Sequence, residues 1–363
     1  MNKKTKLRLS ALGAILAVGL TVAGGANVAN AADPSGFKDL SGAGSDTTQD
    51  VVRALAAVST SPSIGSYDAA GAGLSAKITT KAGGPSFDRP VGSGNGVKAL
   101  SASIKGSPSV FNGTVIAGQL DFARSSSGPK TQTTSVLTWI PFAKDVVSYA
   151  VNSSSDFPRD IKLGTASDSI SAFTLRNIYL CNVTTYVDST KKSVPITPIL
   201  PQAGSGTRSY FLQQLGISTD GTGAGACVKD KIGTENIIEN DGTVLTGAGD
   251  IVPFSAGQFI SQANSAVTAS PDRRGFAELG KINGLRPLTL TSTGVQATSN
   301  AAYPMARNVY NVVATSRLGE AAIASTFVGT GSTFCANDAI IRTYGFAPIG
   351  AACGSVATTG DYQ

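Results

Sequence analysis

Apolar residues recur along this chain with two periods. Val146-Val147-Ser148-Tyr149-Ala150-Val151 is a β-branched run, Val309 to Val313 is another, and both predict strands. Spacing at helical period predicts helices over 49–58, 96–104, 171–180, 205–215, 257–264 and 318–327. Strands alternating with helices over this length predict an α/β protein with open, mostly parallel sheets. In such sheets a ligand sits at the carboxyl ends of strands, close to helix N-termini. No internal repeat and no long charge run interrupts the pattern.

The apolar stretch from Leu9 to Ala23 is of another kind. Lys3, Lys4, Lys6 and Arg8 precede it and Ala29-Asn30-Ala31 follows it as a small-residue cleavage site. Residues 1–31 therefore predict a cleaved signal peptide with Ala32 as the mature N-terminus. An uncleaved anchor is the alternative, but the stretch is short for a membrane span, and no other segment is long and apolar enough to be one. No Cys stands at the cleavage point to carry a lipid. The expected location is secreted or periplasmic, with no lipid anchor on the signal peptide.

That leader changes the charge picture. The sequence has 29 Lys+Arg and 23 Asp+Glu; four basic residues lie in the leader, which leaves 25 against 23 and a net charge of about +2. The remaining basic residues are mostly scattered, so nucleic acid is not an expected partner. The mature chain exceeds one comfortable hydrophobic core, and two lobes are expected.

Histidine is absent altogether, which removes the commonest general base and the commonest metal ligand. No metal and no cofactor is expected. A Ser-His-acid hydrolase is excluded, and no G-x-S-x-G elbow occurs. A Ser-Lys dyad stays open as a His-independent hydrolase, without a supporting S-x-x-K motif at a helix start. The four cysteines, Cys181, Cys227, Cys335 and Cys353, form no C-x-x-C pair, and an even number in an exported chain favours disulfides. Of three possible pairings, Cys181–Cys227 with Cys335–Cys353 is expected, because each would close a loop within one lobe. By loop entropy each bridge would contribute about 3–4 kcal/mol.

Four turns ahead of helices are built from the same few residue types, mainly Gly, Ser, Thr and Asp. They are Gly42-Ala43-Gly44-Ser45-Asp46-Thr47, Gly92-Ser93-Gly94-Asn95-Gly96, Asp121 to Gly128, and Gly204-Ser205-Gly206-Thr207-Arg208. Glycine admits backbone N–H groups close to a ligand, Ser and Thr add hydroxyl donors, and helix N-termini favour negative charge. Any one of these turns is equally a helix cap or a bend, and none is a P-loop. All four together could cage a small oxyanion with neutral donors.

Taken in order, these segments resemble the phosphate-binding components of bacterial ABC importers. Leu40 to Ser45 looks like that family's opening strand and loop, and Val91-Gly92-Ser93-Gly94-Asn95-Gly96-Val97-Lys98 is similar to its Gly/Ser-rich second loop. Asp121-Phe122-Ala123-Arg124-Ser125-Ser126 resembles its D-F-x-x-S-D segment, and Leu175 to Leu180 its L-x-x-I-Y/F helix. Gly204-Ser205-Gly206-Thr207 matches its S-G-T loop. Tyr303-Pro304 before Val309–Val313, and Tyr344 to Pro348, look like its return strand and closing turn.

The resemblance implies a two-lobed type II periplasmic-binding-protein fold, with open mixed sheets and a two-strand hinge. Lobe 1 would comprise 32–145 and 255–363, and lobe 2 would be 146–254. It also implies a monomeric, non-enzymatic protein that binds an oxyanion, phosphate first, and meets an importer permease; a secreted scavenging protein on the same fold is the alternative. By matching positions, Ser93, Ser205, Gly206 and Thr207 would bind the ligand, with Ser45, Asp46, Thr47 and Ser126 beside them. The family places an Arg where this chain has Pro201, an Asp where it has Ser126, and a Thr-aromatic pair where it has Asp46-Thr47. Arg124 and Arg208 could restore the missing cation, and Asp46 the missing carboxylate. Asp46 could equally be no more than a cap on the first helix.

Overall fold

The computed structural model describes residues 33–363 except 72, 107–108 and 291–296. The expected signal peptide and its cleavage site lie outside the described residues. The organising element is the strand Leu137–Asn152, buried along almost its whole length. A strand covered on both faces reads as a mostly apolar run, which this one does apart from Thr138, Lys144, Asp145, Ser148 and Asn152. Its first half pairs antiparallel with Ala306–Ala314 and its second half with Asp250–Ser255.

From these pairings the main sheet grows in both directions. Its strand order is 197–198, 250–255, 137–152, 306–314, 122–125, 40–44, 64–66. The outer pairs are parallel, 40–44 with both 64–66 and 122–125, and 197–198 with 250–255. The central pairs are antiparallel, so the sheet is mixed. The two runs read as strands from their β-branched residues are the inner parts of the two long central strands.

Helices occur where the apolar period placed them, with shifted ends: Gln49–Ala57, Ser93–Ile104, Leu175–Tyr179, Gly206–Gln214, Ala256–Ala263 and Ala321–Phe327. The largest change is at the third. Thr174 stands extended and its hydroxyl accepts the Asn177 N–H, so the helix begins there and not at 171.

Among the described residues, the two largest of four buried clusters meet along the long strand. One joins Leu40, Val51, Leu55, Phe122, Ile140, Phe142, Val309, Phe327 and Phe346. The other joins Val147, Tyr149, Val151, Tyr179, Leu200, Phe211, Ile251, Ile282, Tyr303 and Met305. Residues 137–152 feed both, so this strand passes from one body into the other. Ile282, Tyr303 and Met305 come from the 255–363 segment, yet they pack in the second core. The disulfides are Cys181–Cys227 and Cys335–Cys353, the expected pairing. The second packs against the first core through Cys335 and Cys353. Among the described residues no helix is long and apolar enough to cross a membrane.

Candidate functional site

The strand Leu40–Gly44 ends between the two bodies, and the loop after it carries Ser45, Asp46 and Thr47, all essentially fully buried. Opposite stands the helix Gly206–Gln214. Its N-cap is Ser205, whose hydroxyl oxygen accepts the Arg208 N–H at 2.9 Å and keeps its own proton free to donate. The two elements meet at Thr47 and Thr207, with hydroxyl oxygens 3.3 Å apart.

Between these threonines lies a carboxylate that no motif announced. The Thr47 hydroxyl donates to Glu239 Oε2 at 2.6 Å and the Thr207 hydroxyl donates to the same oxygen at 2.9 Å. The Thr207 amide, at the start of its helix, reaches Oε1 at 3.4 Å. Proton directions follow from the neighbours. Asn240 Nδ2 donates to the Thr47 hydroxyl oxygen at 3.2 Å, and Arg307 Nη2 to that of Thr207 at 2.9 Å. Each hydroxyl therefore receives from a group with protons to give and passes its single proton to Glu239. Glu239 is fully buried. A helix N-terminus and two hydroxyls around a buried carboxylate form a seat for an oxyanion.

Arg307 is held in turn by Asp145, at 2.8 Å from Nη2. Asp145 Oδ1 also accepts from the Ser255 hydroxyl at 2.8 Å and from the Gly257 amide at 3.1 Å. Charge is thus relayed from the start of the helix Ala256–Ala263 through Asp145 and Arg307 to Thr207.

A second hydroxyl cluster adjoins the first. Ser93 Oγ accepts the Ser126 N–H at 2.9 Å and lies 3.1 Å from Ser126 Oγ. Both press on Gly206, where a Cβ would collide with either oxygen, so only glycine fits there. The second and fourth Gly-rich turns also touch directly, Gly94 N–H donating to Gly204 O at 3.0 Å. Beside them a small crevice is lined by Ser93, Ser127, Lys130, Trp139, Ser205 and Ser209, among others.

The structure therefore brings Ser45, Asp46, Thr47, Ser93, Ser126, Ser205, Gly206 and Thr207 into one neighbourhood. The arginines are placed differently. Arg208 directs Nη1 to Pro201 O at 2.9 Å and to Asp230 at 3.0 Å, so it braces the loop before its helix. Arg124 is fully buried, donating to Ser45 O at 3.1 Å and to Ser66 Oγ at 2.8 Å, with Nη2 unpartnered. Burial pulls its guanidinium down to about 10, against the opposing charges of Asp68 and Asp46. The cation touching the seat is Arg307, which lies outside every turn the sequence singled out.

Asp46 is not the cap of the first helix. Its Oδ1 accepts the Thr47 N–H at 3.1 Å, the cap position is Thr48, and Oδ2 has no partner. Burial raises the Asp46 carboxyl well above its ordinary value, and the Glu239 carboxylate beside it raises it further. Asp46 therefore holds its proton far more readily than an exposed aspartate would.

The fold has relatives. A family model described as the PBP superfamily domain matches residues 29–329. The chain belongs to that superfamily. Among solved structures, this PBP-superfamily protein is similar to an ABC-type phosphate transport receptor from Vibrio cholerae, at 13% identity and TM-score 0.51, covering 86% of this chain and 100% of that one. It is also similar to a candidate phosphate ABC transporter substrate-binding protein from Clostridium perfringens with bound phosphate. That match has 16% identity and TM-score 0.50, and covers 85% of this chain and 99% of the other. At such identities the likeness is one of fold. No curated protein matches.

Proposed function

We propose that this PBP-superfamily protein is an extracytoplasmic solute-binding protein that captures a small oxyanion, phosphate first, between its two bodies and hands it to an ABC importer. One observation carries the reading: a carboxylate received by the Thr47 hydroxyl, the Thr207 hydroxyl and the Thr207 amide. Phosphate oxygens accept from the same donors in the same way. Ser45, Ser93, Ser126 and Ser205 stand ready to take the remaining oxygens, and Arg307 supplies the positive charge. Asp46 would accept the proton that phosphate still carries at neutral pH and sulfate lacks. The two solved relatives are both named for phosphate, which points the same way. Binding without turnover suits a cleft of hydroxyls with no histidine. Export by residues 1–31 would deliver the protein to where such solutes arrive.

The test is calorimetric titration of the mature protein with inorganic phosphate, sulfate and acetate. Saturable one-to-one binding of phosphate, weaker with sulfate, is expected. No heat from any of the three would reject the reading.

A further inference from the structure

We propose that Glu239 is a built-in occupant of the oxyanion seat, which a solute anion must displace to bind. The inference rests on the oxyanion-binding function and names what regulates that site. Its ground is a count of protons. Thr47 and Thr207 have one hydroxyl proton each, and both point at Glu239 Oε2, at 2.6 and 2.9 Å. Those directions are fixed from behind by Asn240 and Arg307, which donate into the same two hydroxyl oxygens. A hydroxyl has a single proton, so it cannot serve Glu239 and a ligand oxygen at once. A phosphate oxygen can gain these protons only where Glu239 gives them up.

Electrostatics acts in the same direction. Asp46 Oδ2 is buried without a partner, and the Asp46 carboxyl lies close enough to Glu239 for the two to interact directly. A multiply charged anion entering beside the Glu239 carboxylate would meet like charge in a dry site. Departure of Glu239 removes that charge. Glu239 belongs to an irregular segment ahead of the short turn Gly242–Val244, not to a strand or long helix. While it stays, it also ties Thr47, on the first Gly-rich loop, to Thr207, on the facing helix, across 160 residues of chain.

A seat open in only a fraction of molecules lowers the apparent affinity by that fraction, and removing the occupant restores it. The experiment compares wild type, Glu239→Ala and Glu239→Gln, each dialysed free of phosphate, by calorimetric titration with inorganic phosphate. We expect affinity at least about tenfold higher in Glu239→Ala than in wild type, the worth of one hydroxyl bond to a charged acceptor, with Glu239→Gln between them. Glu239→Gln keeps the shape of the side chain and carries the test where Glu239→Ala fails to fold. Affinity unchanged or reduced in the folded variants overturns the proposal, because Glu239 would then assist the ligand or have no part in its binding. Absence of phosphate binding in all three proteins would instead defeat the oxyanion reading. Small-angle scattering without ligand then decides the tie alone: a larger radius of gyration for Glu239→Ala supports it, and an equal radius rejects it.

Discussion

Asp145 and Arg307 face each other as direct register partners on the two long antiparallel strands, and their side chains close an ion pair at 2.8 Å with both residues buried. The pair lies where the strands pass from one core to the other. Removing one member of a buried pair strands the other charge and costs about 3–5 kcal/mol. Arg307→Ala should lose stability of that order in chemical denaturation. A loss under about 1 kcal/mol, the scale of an exposed pair, would mean that water reaches Asp145.

The hydroxyls of the S-G-T turn should separate by what else they serve. Ser205 makes no bond to Glu239, so Ser205→Ala should cost phosphate binding about 1.5–3 kcal/mol, the value of a bond to a charged acceptor. Thr207 donates to Glu239 and to the ligand in turn. Thr207→Ala should therefore cost less in wild type than in a Glu239→Ala background, a non-additivity that calorimetry on the four proteins reads directly. Equal costs in both backgrounds would contradict the shared proton.

Stability should respond to pH through Asp46. Its carboxyl is held well above the ordinary 3.8. The folded chain then keeps a proton that the unfolded chain sheds, so this contribution is complete below pH 3.8 and is lost as pH rises through the raised value. Asp46→Asn removes that loss. Its melting temperature should gain on wild type as pH rises above about 4, while Asp68, raised to about 6 by burial, titrates alike in both and cancels. A gain that is constant with pH would disprove the assignment.

Selectivity tests the same residue from another side. Where the Asp46 carboxyl is ionised, its Oδ2 can accept from a protonated phosphate and can only repel sulfate. Asp46→Asn should narrow the phosphate-to-sulfate affinity ratio in competition binding, and an unchanged ratio would remove Asp46 from recognition.

Trp139 offers an optical reading of closure. It is fully buried, its indole N–H has no partner, and it lines the crevice beside Ser205 and Ser209. Separation of the two bodies would open that crevice, so phosphate should change the emission saturably. Binding seen by calorimetry with constant emission would place the moving contact elsewhere.

The alternation of strand and helix and three of the four turns were legible in the sequence because each is written in neighbouring residues. The expected turn from Asp121 to Gly128 is instead mostly the strand Phe122–Ser125, with no helix after it. The disulfides were legible because four cysteines allow only three pairings. Glu239 and Arg307 were not. Glu239 meets Thr47 across 192 positions from a segment without periodic pattern, and only the fold brings it there. A signal for Arg307 did exist, since Asp145 and Arg307 are charges set inside strands that otherwise read as buried. Two opposite charges in two buried strands imply a pair. Arg208 misled for the opposite reason: it adjoins the S-G-T turn in sequence, but a helix carries its side chain off the face that meets Thr47.

The contact between the second and fourth Gly-rich turns is peptide against peptide. Gly92 holds φ at 87° and Gly204 at 90°, and a Cβ on Gly92 would stand 2.8 Å from Gly204 O. A single methyl group is therefore the margin between shut and ajar. Asp46, Thr47 and Glu239 lie outside this seam, so they could be exchanged for others without touching it. On the proposed function, retuning what the protein holds and preserving how it shuts would be separable problems, the second resting on two residues that contribute no side chain at all.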